Sequence, residues 1–256
     1  MFSIVTATMK LAPEELAPIL ATYDAFAAKG LAFELIVQDN CSGEAVLAEL
    51  RQRPYVKLVS ATDTGIYDAW NQALPRVSGD WVGFLGIDDL PSLEWVAFAS
   101  SHIPPNEPSV LACDVSLEDA SHTRVGVFRN PRVGTLNTRA NAFAHPGLAV
   151  ASSIFQNRRF PEQYRIIGDL VFYAQFRQLP VAGHLGAVGV SMRLGGISNS
   201  PIGARRVLRE YLNAVSNGDI QPYFPLIAKR LIAAALSLLP ALYVRAQRRR
   251  WRTFGE

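Results

Sequence analysis

The chain has 256 residues, 49% of them apolar and 18% charged, with 13 Phe, 8 Tyr and 4 Trp; that much buriable surface excludes a disordered or collagen-like polypeptide and suits one large α/β unit. Two cysteines, Cys41 and Cys113, give neither a disulfide framework nor zinc spacing, and the opening MFSIVTATMK lacks the pattern of a signal peptide, so a reducing cytoplasm is expected. The net charge of +3 is unevenly spread: residues 1–200 hold 15 Lys/Arg against 19 Asp/Glu, residues 201–256 hold 10 against 3, and no basic stripe interleaved with aromatics crosses the body, which argues against a nucleic-acid partner.

Short apolar runs of β type alternate with amphipathic stretches over the first ninety residues. The pattern predicts strands at 2–8, 33–38, 55–59 and 80–86, with helices at 13–28, about 43–52 and about 65–75. Pro13 falls in the first turn of the first helix and Gly30 lies beyond its end. Such βαβ alternation makes a parallel sheet with helices on its faces. Thr6 and Thr8, Asp39 and Asn40, and Asp88 and Asp89 then fall at strand ends. Ligands bind beyond the carboxyl ends of such strands, so the three polar groups point to one crevice. Residues 100–160 read as a mixed, partly antiparallel region, with strand candidates VLACDV and VGVFR and a long polar loop, NPRVGTLNTRANAFAHPG. A helix at 168–178, a strand or hairpin at 181–192, a loop RLGGISNSP and helices at about 201–217 and 222–250 complete the chain.

Adjacent carboxylates such as Asp88 and Asp89 raise each other's proton affinity unless a cation or donor compensates. A divalent metal with oxygen ligands is one compensator, and capping of the helix that starts near Pro91 is the structural alternative. Asp39, after an apolar strand, can accept from a nucleobase edge or close an Asx-turn. In DTGIYDAWNQAL, Asp68, Asn71 and Gln72 fall near one helical face, while Ile66, Ala69, Trp70, Ala73 and Leu74 supply apolar surface.

Taken in order, SIVTAT, FELIVQDNCSG, DTGIYDAWNQAL and GDWVGFLGIDD, followed more faintly by HPGLAV, FPEQYRIIGDL and LGGISNS, resemble the family 2 glycosyltransferases of the GT-A fold. The likeness is greatest to the subgroup that builds bacterial surface polysaccharides, and it spans residues 2–200. It implies a GT-A domain at 1–200, an α/β fold with a mixed, mostly parallel sheet flanked by helices, and a helical basic extension at 201–256. It also implies inverting, metal-dependent transfer of a sugar from a nucleotide-diphosphate donor to a saccharide or polyprenyl-diphosphate-linked acceptor. By position, Thr6, Ala7 and Thr8 would lie along the nucleotide, Asp39 on the base, Asp63 and Asp68 near nucleotide or sugar, and Asn71 beside the diphosphate. Asp88 matches the metal-binding Asp of the family's DxD motif, with Asp89 adjacent, and would hold Mn²⁺ or Mg²⁺. The first position of that motif, normally Asp or Asn, is Gly86. Asp169, after Gly168 and between apolar Ile166, Ile167 and Leu170, matches the family's general base. His145 would be an acceptor-side or phosphate-side residue, and Ser198 part of a loop over the donor diphosphate. Gly86 and the basic end also prompt a second reading, a catalytically silent homologue that binds sugar nucleotide or scaffolds an assembly.

The apolar stretch Leu231 to Val244 has 14 residues, fewer than the roughly 20 needed to cross a bilayer as a helix. Lys229 and Arg230 precede it, and Arg245, Arg248, Arg249, Arg250 and Trp251 follow. This arrangement suits a helix lying on the anionic inner face of the cell membrane, which implies peripheral association there. Packing on the catalytic domain, or on a second copy as a homo-oligomer, is the competing expectation.

Overall fold

The structure, a computed structural model, describes residues 1–176, 178–196, 200–239, 242–243 and 246. In chain order the strands are β1 (Phe2–Met9), β2 (Phe33–Asn40), β3 (Val56–Ser60), β4 (Trp81–Gly86), β5 (Leu90–Pro91), β6 (Val110–Glu118), β7 (Arg124–Phe128), β8 (Leu148–Ala151) and β9 (Val181–Arg193). The α-helices are α1 (Pro13–Ala28), α2 (Glu44–Arg51), α3 (Ile66–Ala73), α4 (Leu93–Ser101), α5 (Gly168–Ala174), α6 (Pro201–Ser216) and α7 (Phe224–Leu236). They assemble into one mixed sheet of order β3-β2-β1-β4-β8-β6-β9-β5, with β7 paired to β6.

The first half follows from local pattern. In α1, Leu16, Ile19, Leu20, Tyr23 and Phe26 recur on one helical side and are buried. The Glu15 carboxylate accepts the Ala12 N–H at 3.0 Å, and Gly30 leaves the helix at φ 69°, a left-handed conformation that suits glycine. β1, β2, β3 and β4 pair in parallel, and their side chains alternate between faces. Ile4, Leu35 and Val37 join the core under α1 and α2, whereas Val5 and Ile36 join the core formed with α3. The chain therefore changes faces between β1 and its neighbour β4. In an open sheet the crevice lies at that switch, beyond the strands' carboxyl ends.

The second half closes the far side of this crevice. β8 runs antiparallel to β4 and to β6, and β9 runs parallel to β6 with several register breaks. The two-residue β5, directly after Asp89, pairs Leu90 with Ser191 and Pro91 with Val190 of β9. The acidic pair is thus stitched to the end of β9. A third core joins α5, α6 and α7 through Leu170, Val171, Val207, Tyr211 and Leu226.

Three elements differ from expectation. β8, only LAVA, occupies the middle of the sheet, although so short an apolar run carries no periodicity to announce a strand. The helix expected at 168–178 ends at Ala174. The helix expected at 222–250 is interrupted: α7 ends at Leu236 and Ser237 to Leu239 turn ahead of Pro240, since the residue before a proline is disfavoured in helical conformation, whereas Leu242, Tyr243 and Ala246 are helical and the other residues of 240–250 lie outside the described residues.

Candidate active site

A cavity of 420 Å³ opens at the carboxyl edge of β4, a size that suits a small-molecule ligand. Its wall brings together Gly86, Asp88 and Asp89 from the end of β4, His145 from the turn before β8, and Asp169 from the start of α5. Trp70 of α3, Arg193 of β9, Val207 of α6 and Arg230 of α7 also line it. Of the residues singled out in the sequence, Asp88, Asp89, His145 and Asp169 share this one space.

The two acidic neighbours have different surroundings. Asp88 is exposed and makes no hydrogen bond or ion pair among the described residues. Asp89 is buried; it accepts the Gly86 N–H at 3.0 Å and the Arg193 N–H at 3.2 Å. Burial, aided by the charge of Asp88, pushes the Asp89 carboxyl up to about 7, against the pull of those two N–H donors. Gly86 permits the close grouping, since a Cβ there would stand 3.0 Å from Asp89 Oδ2 and 3.1 Å from Asp88 Oδ1. A side chain at the motif's first position would require both carboxylates to give by a few tenths of an ångström. Among the described residues no three His, Cys, Asp or Glu side chains gather into an all-protein metal centre. The pair nevertheless fits a hard divalent ion: it offers oxygen donors and unbalanced negative charge, and Mg²⁺ or Mn²⁺ commonly takes one or two carboxylates with substrate phosphates.

Asp169 is held by a scaffold the sequence did not reveal. Its Oδ1 accepts the Leu170 N–H at 2.8 Å and the Tyr67 hydroxyl at 3.2 Å, and the same hydroxyl donates to Ile166 O at 2.8 Å. Oδ2 has no hydrogen bond among the described residues. Tyr67 lies so close to the backbone that a Cβ at Gly168 would meet its ring at 2.6 Å. From α6, the Glu210 carboxylate accepts the N–H groups of Arg165, Ile166 and Ile167 at 3.1, 2.9 and 3.2 Å. These are donors at the entry to α5, where a negative charge is favoured.

His145 stacks on Trp70 at 5.2 Å and on Phe84 at 5.8 Å, and Tyr173 packs at 5.6 Å. Burial pushes the imidazole below its usual range, although the charge of Asp169 opposes this, which favours the uncharged ring. Both ring nitrogens, Trp70 Nε1 and the Tyr173 hydroxyl are buried without hydrogen-bond partners among the described residues. Orphaned buried polar atoms are uncommon in native folds, and three of these, on His145 and Trp70, belong to residues that line the cavity, which suits a bound polar ligand.

The remaining predicted residues lie at the same sheet edge but outside the cavity wall. Thr8 Oγ1 donates to Asp39 Oδ1 at 2.7 Å, and the other Asp39 oxygen accepts the Ser42 N–H at 3.1 Å in an Asx-turn. Thr6 is buried beside them in β1, and Ala7 is half-buried. Asp63 accepts the Gly65 N–H, and Asp68 accepts from Thr64 N–H and Gln72 Nε2. The Gln72 bond, with help from Thr64, holds the Asp68 carboxyl below the usual range despite partial burial. Asn71 clasps Phe160 through both its N–H and its C=O, and also bonds Glu162 at 2.8 Å. Ser198 lies outside the described residues. Sequence reasoning missed Tyr67, Glu210, Arg193 and Arg230, and it took Trp70 as packing surface only.

The mixed, mostly parallel sheet flanked by helices is a GT-A-like fold, as solved structures show. TarS from S. aureus, solved with UDP-GlcNAc, superposes with a TM-score of 0.58 at 17% identity, over 92% of this chain and 72% of that one. The mannosyltransferase PcManGT from Pyrobaculum calidifontis, solved with GDP-Man and Mn²⁺, gives 0.57 at 17% identity, over 99% and 83%. The family model for glycosyl transferase family 2 matches residues 12–145, just over half the chain, and the protein belongs to that family. Among curated proteins, the PGL/p-HBAD biosynthesis glycosyltransferases of Mycobacterium bovis (strain BCG / Pasteur 1173P2) and Mycobacterium tuberculosis (strain ATCC 25177 / H37Ra) are each 28% identical over 214 residues, covering 78% of this chain and 80% of theirs.

Proposed function

We propose that this glycosyltransferase moves a sugar, with inversion, from a nucleoside-diphosphate donor to a hydroxyl of a saccharide or lipid-linked acceptor in cell-surface glycan assembly. The observation that carries the reading is the convergence of Asp88, Asp89, His145 and Asp169 on one cavity at the switch point of the sheet. The donor-bound structures of similar fold and the names of the mycobacterial relatives support it.

Asp169 acts as general base. Its Oδ2, unengaged among the described residues, takes the proton of the acceptor hydroxyl. The acceptor oxygen, so deprotonated, then bonds to the anomeric carbon as the bond to the donor diphosphate breaks on the opposite side. The electron pair leaves with the nucleoside diphosphate, and the anomeric configuration inverts. Tyr67 and Glu210 fix the carboxylate in place, which keeps the reacting atoms aligned. Asp88, with Asp89 behind it, would hold Mg²⁺ or Mn²⁺, whose charge offsets that developing on the diphosphate. His145, neutral and stacked, offers one N–H donor and one lone pair to sugar or phosphate.

The test is release of nucleoside diphosphate from a panel of UDP-, GDP- and dTDP-sugars with Mn²⁺, before and after Asp169→Asn. Loss of a general base forfeits about 10²-fold to 10⁴-fold in rate. The variant is expected to lose transfer to that extent while still binding donor. Wild-type turnover in it would remove Asp169 from the mechanism, and absence of both transfer and donor hydrolysis in the parent would favour the silent, binding-only reading.

A further inference from the structure

Helix α7 and the residues directly after it are buried on one side and exposed on the other. Inward, Leu226 and Ser237 are buried and Arg230 reaches the cavity wall. Outward, the surface is as apolar as a core: Phe224 is 79% exposed, Leu231 51% and Ile232 61%, and Leu238, Leu239 and Leu242 continue the row at 68%, 57% and 48%. Within α7 the seven-residue step from Phe224 to Leu231 returns to the same side of the helix, and Ile232 stands beside it. A contiguous exposed apolar row of this kind marks an interaction surface. Among the described residues no helix is long and apolar enough to cross a membrane.

The charge around this row selects its partner. Between residues 220 and 255 the sequence carries no Asp or Glu and, besides the cavity-facing Arg230, six basic residues: Lys229, and Arg245, Arg248, Arg249, Arg250 and Arg252, which lie outside the described residues. Two copies paired through this face about a twofold axis would set two basic stretches against each other. Nucleic acid would match the charge but leave the apolar row in water. An anionic bilayer satisfies both, since the apolar face enters the acyl boundary while the basic side chains meet lipid phosphates.

We infer that α7 and the basic stretch that follows seat the protein on an anionic bilayer surface, with the helix lying in the interface. Arg230 on the opposite side of the same helix then places the cavity wall within about one helix diameter, roughly 10–12 Å, of the lipid. Combined with the transfer reaction proposed above, that position favours an acceptor sugar carried on a lipid.

Flotation of the full chain tests the docking directly, with vesicles of phosphatidylcholine alone and of phosphatidylcholine mixed with phosphatidylglycerol. The expected result is co-flotation with the anionic vesicles only, weakened by salt. Leu231→Glu with Ile232→Glu, both at exposed positions, is expected to abolish flotation with the melting temperature unchanged. Neutralising Arg248, Arg249 and Arg250 to Gln is expected to lower partition at least about tenfold. Failure of the parent chain to float with anionic vesicles overturns the inference, as does a double variant that floats as well as the parent. A dimer in sedimentation that the double variant dissolves, with no flotation by either, overturns it in favour of a second copy. Flotation needs no sugar donor, so failure of docking and failure of transfer are distinguishable.

Discussion

His145 shows how single side chains report on function. A buried imidazole whose nitrogens both lack partners is a poor structural residue, because each unpaired atom carries a desolvation penalty. Phenylalanine at this position keeps the stack on Trp70 and Phe84 and removes the unpaired nitrogens. His145→Phe is therefore expected to hold or raise the melting temperature, while transfer falls at least about tenfold, the worth of one hydrogen bond to substrate. Lower stability with full activity would give the ring a packing role only. At this scale the sequence singled out Asp88 and Asp89 as a carboxylate pair and, with the family resemblance, Asp169, and all three line the cavity. The sequence was not legible for Tyr67, which meets Asp169 across 102 residues, or for Glu210, whose three backbone partners lie 43 to 45 residues before it. No local pattern announces such contacts; only the packing of α3 and α6 against α5 creates them.

Among the elements, β1, β2 and the turn before β4 are tied by one buried acid. Glu34 accepts from Ser3 Oγ at 2.5 Å and from Ser78 N–H and Ser78 Oγ at 2.7 Å each, and it pairs with Lys57 Nζ at 2.6 Å. Burial alone would raise its proton affinity, but Lys57, Ser3 and Ser78 together hold the carboxyl below the usual glutamate value. The folded state therefore prefers the ionised form. Its contribution is complete above the unfolded glutamate value and is lost as pH falls through the lower folded value. Glu34→Gln is expected to cost about 1–3 kcal/mol at pH 7, with the difference from the parent shrinking in acid. Urea melts at neutral pH and across the acid range check both the size and the direction. The helices and strands of residues 1–86 were readable because period and caps agree with the fold. β8 was not, since four apolar residues suit any buried element, and the break after Leu236 was passed over because the apolar pattern continues through it.

For the molecule as a whole, the sheet, the acidic pair and the α5–α7 core meet at a single cavity, so a ligand there should stabilise all three. Binding to the folded state alone, at a hundredfold excess over Kd, is worth about 2.7 kcal/mol, or roughly 5–10 °C for a chain of this length. Thermal melts with UDP or GDP are expected to show such a shift with Mn²⁺ and little of it after chelation. Asp88→Asn should remove the metal-dependent part; an equal shift in that variant would take Asp88 out of the metal site.

The Glu210 carboxylate also bears on attempts to transplant this chemistry. A graft of the sheet through Arg193 would carry Asp88 and Asp169 into a new host but leave the peptide N–H groups of Arg165, Ile166 and Ile167 without their acceptor. The recipient would then need its own anion at that spot, or the turn presenting Asp169 would drift and the borrowed centre would arrive misaligned.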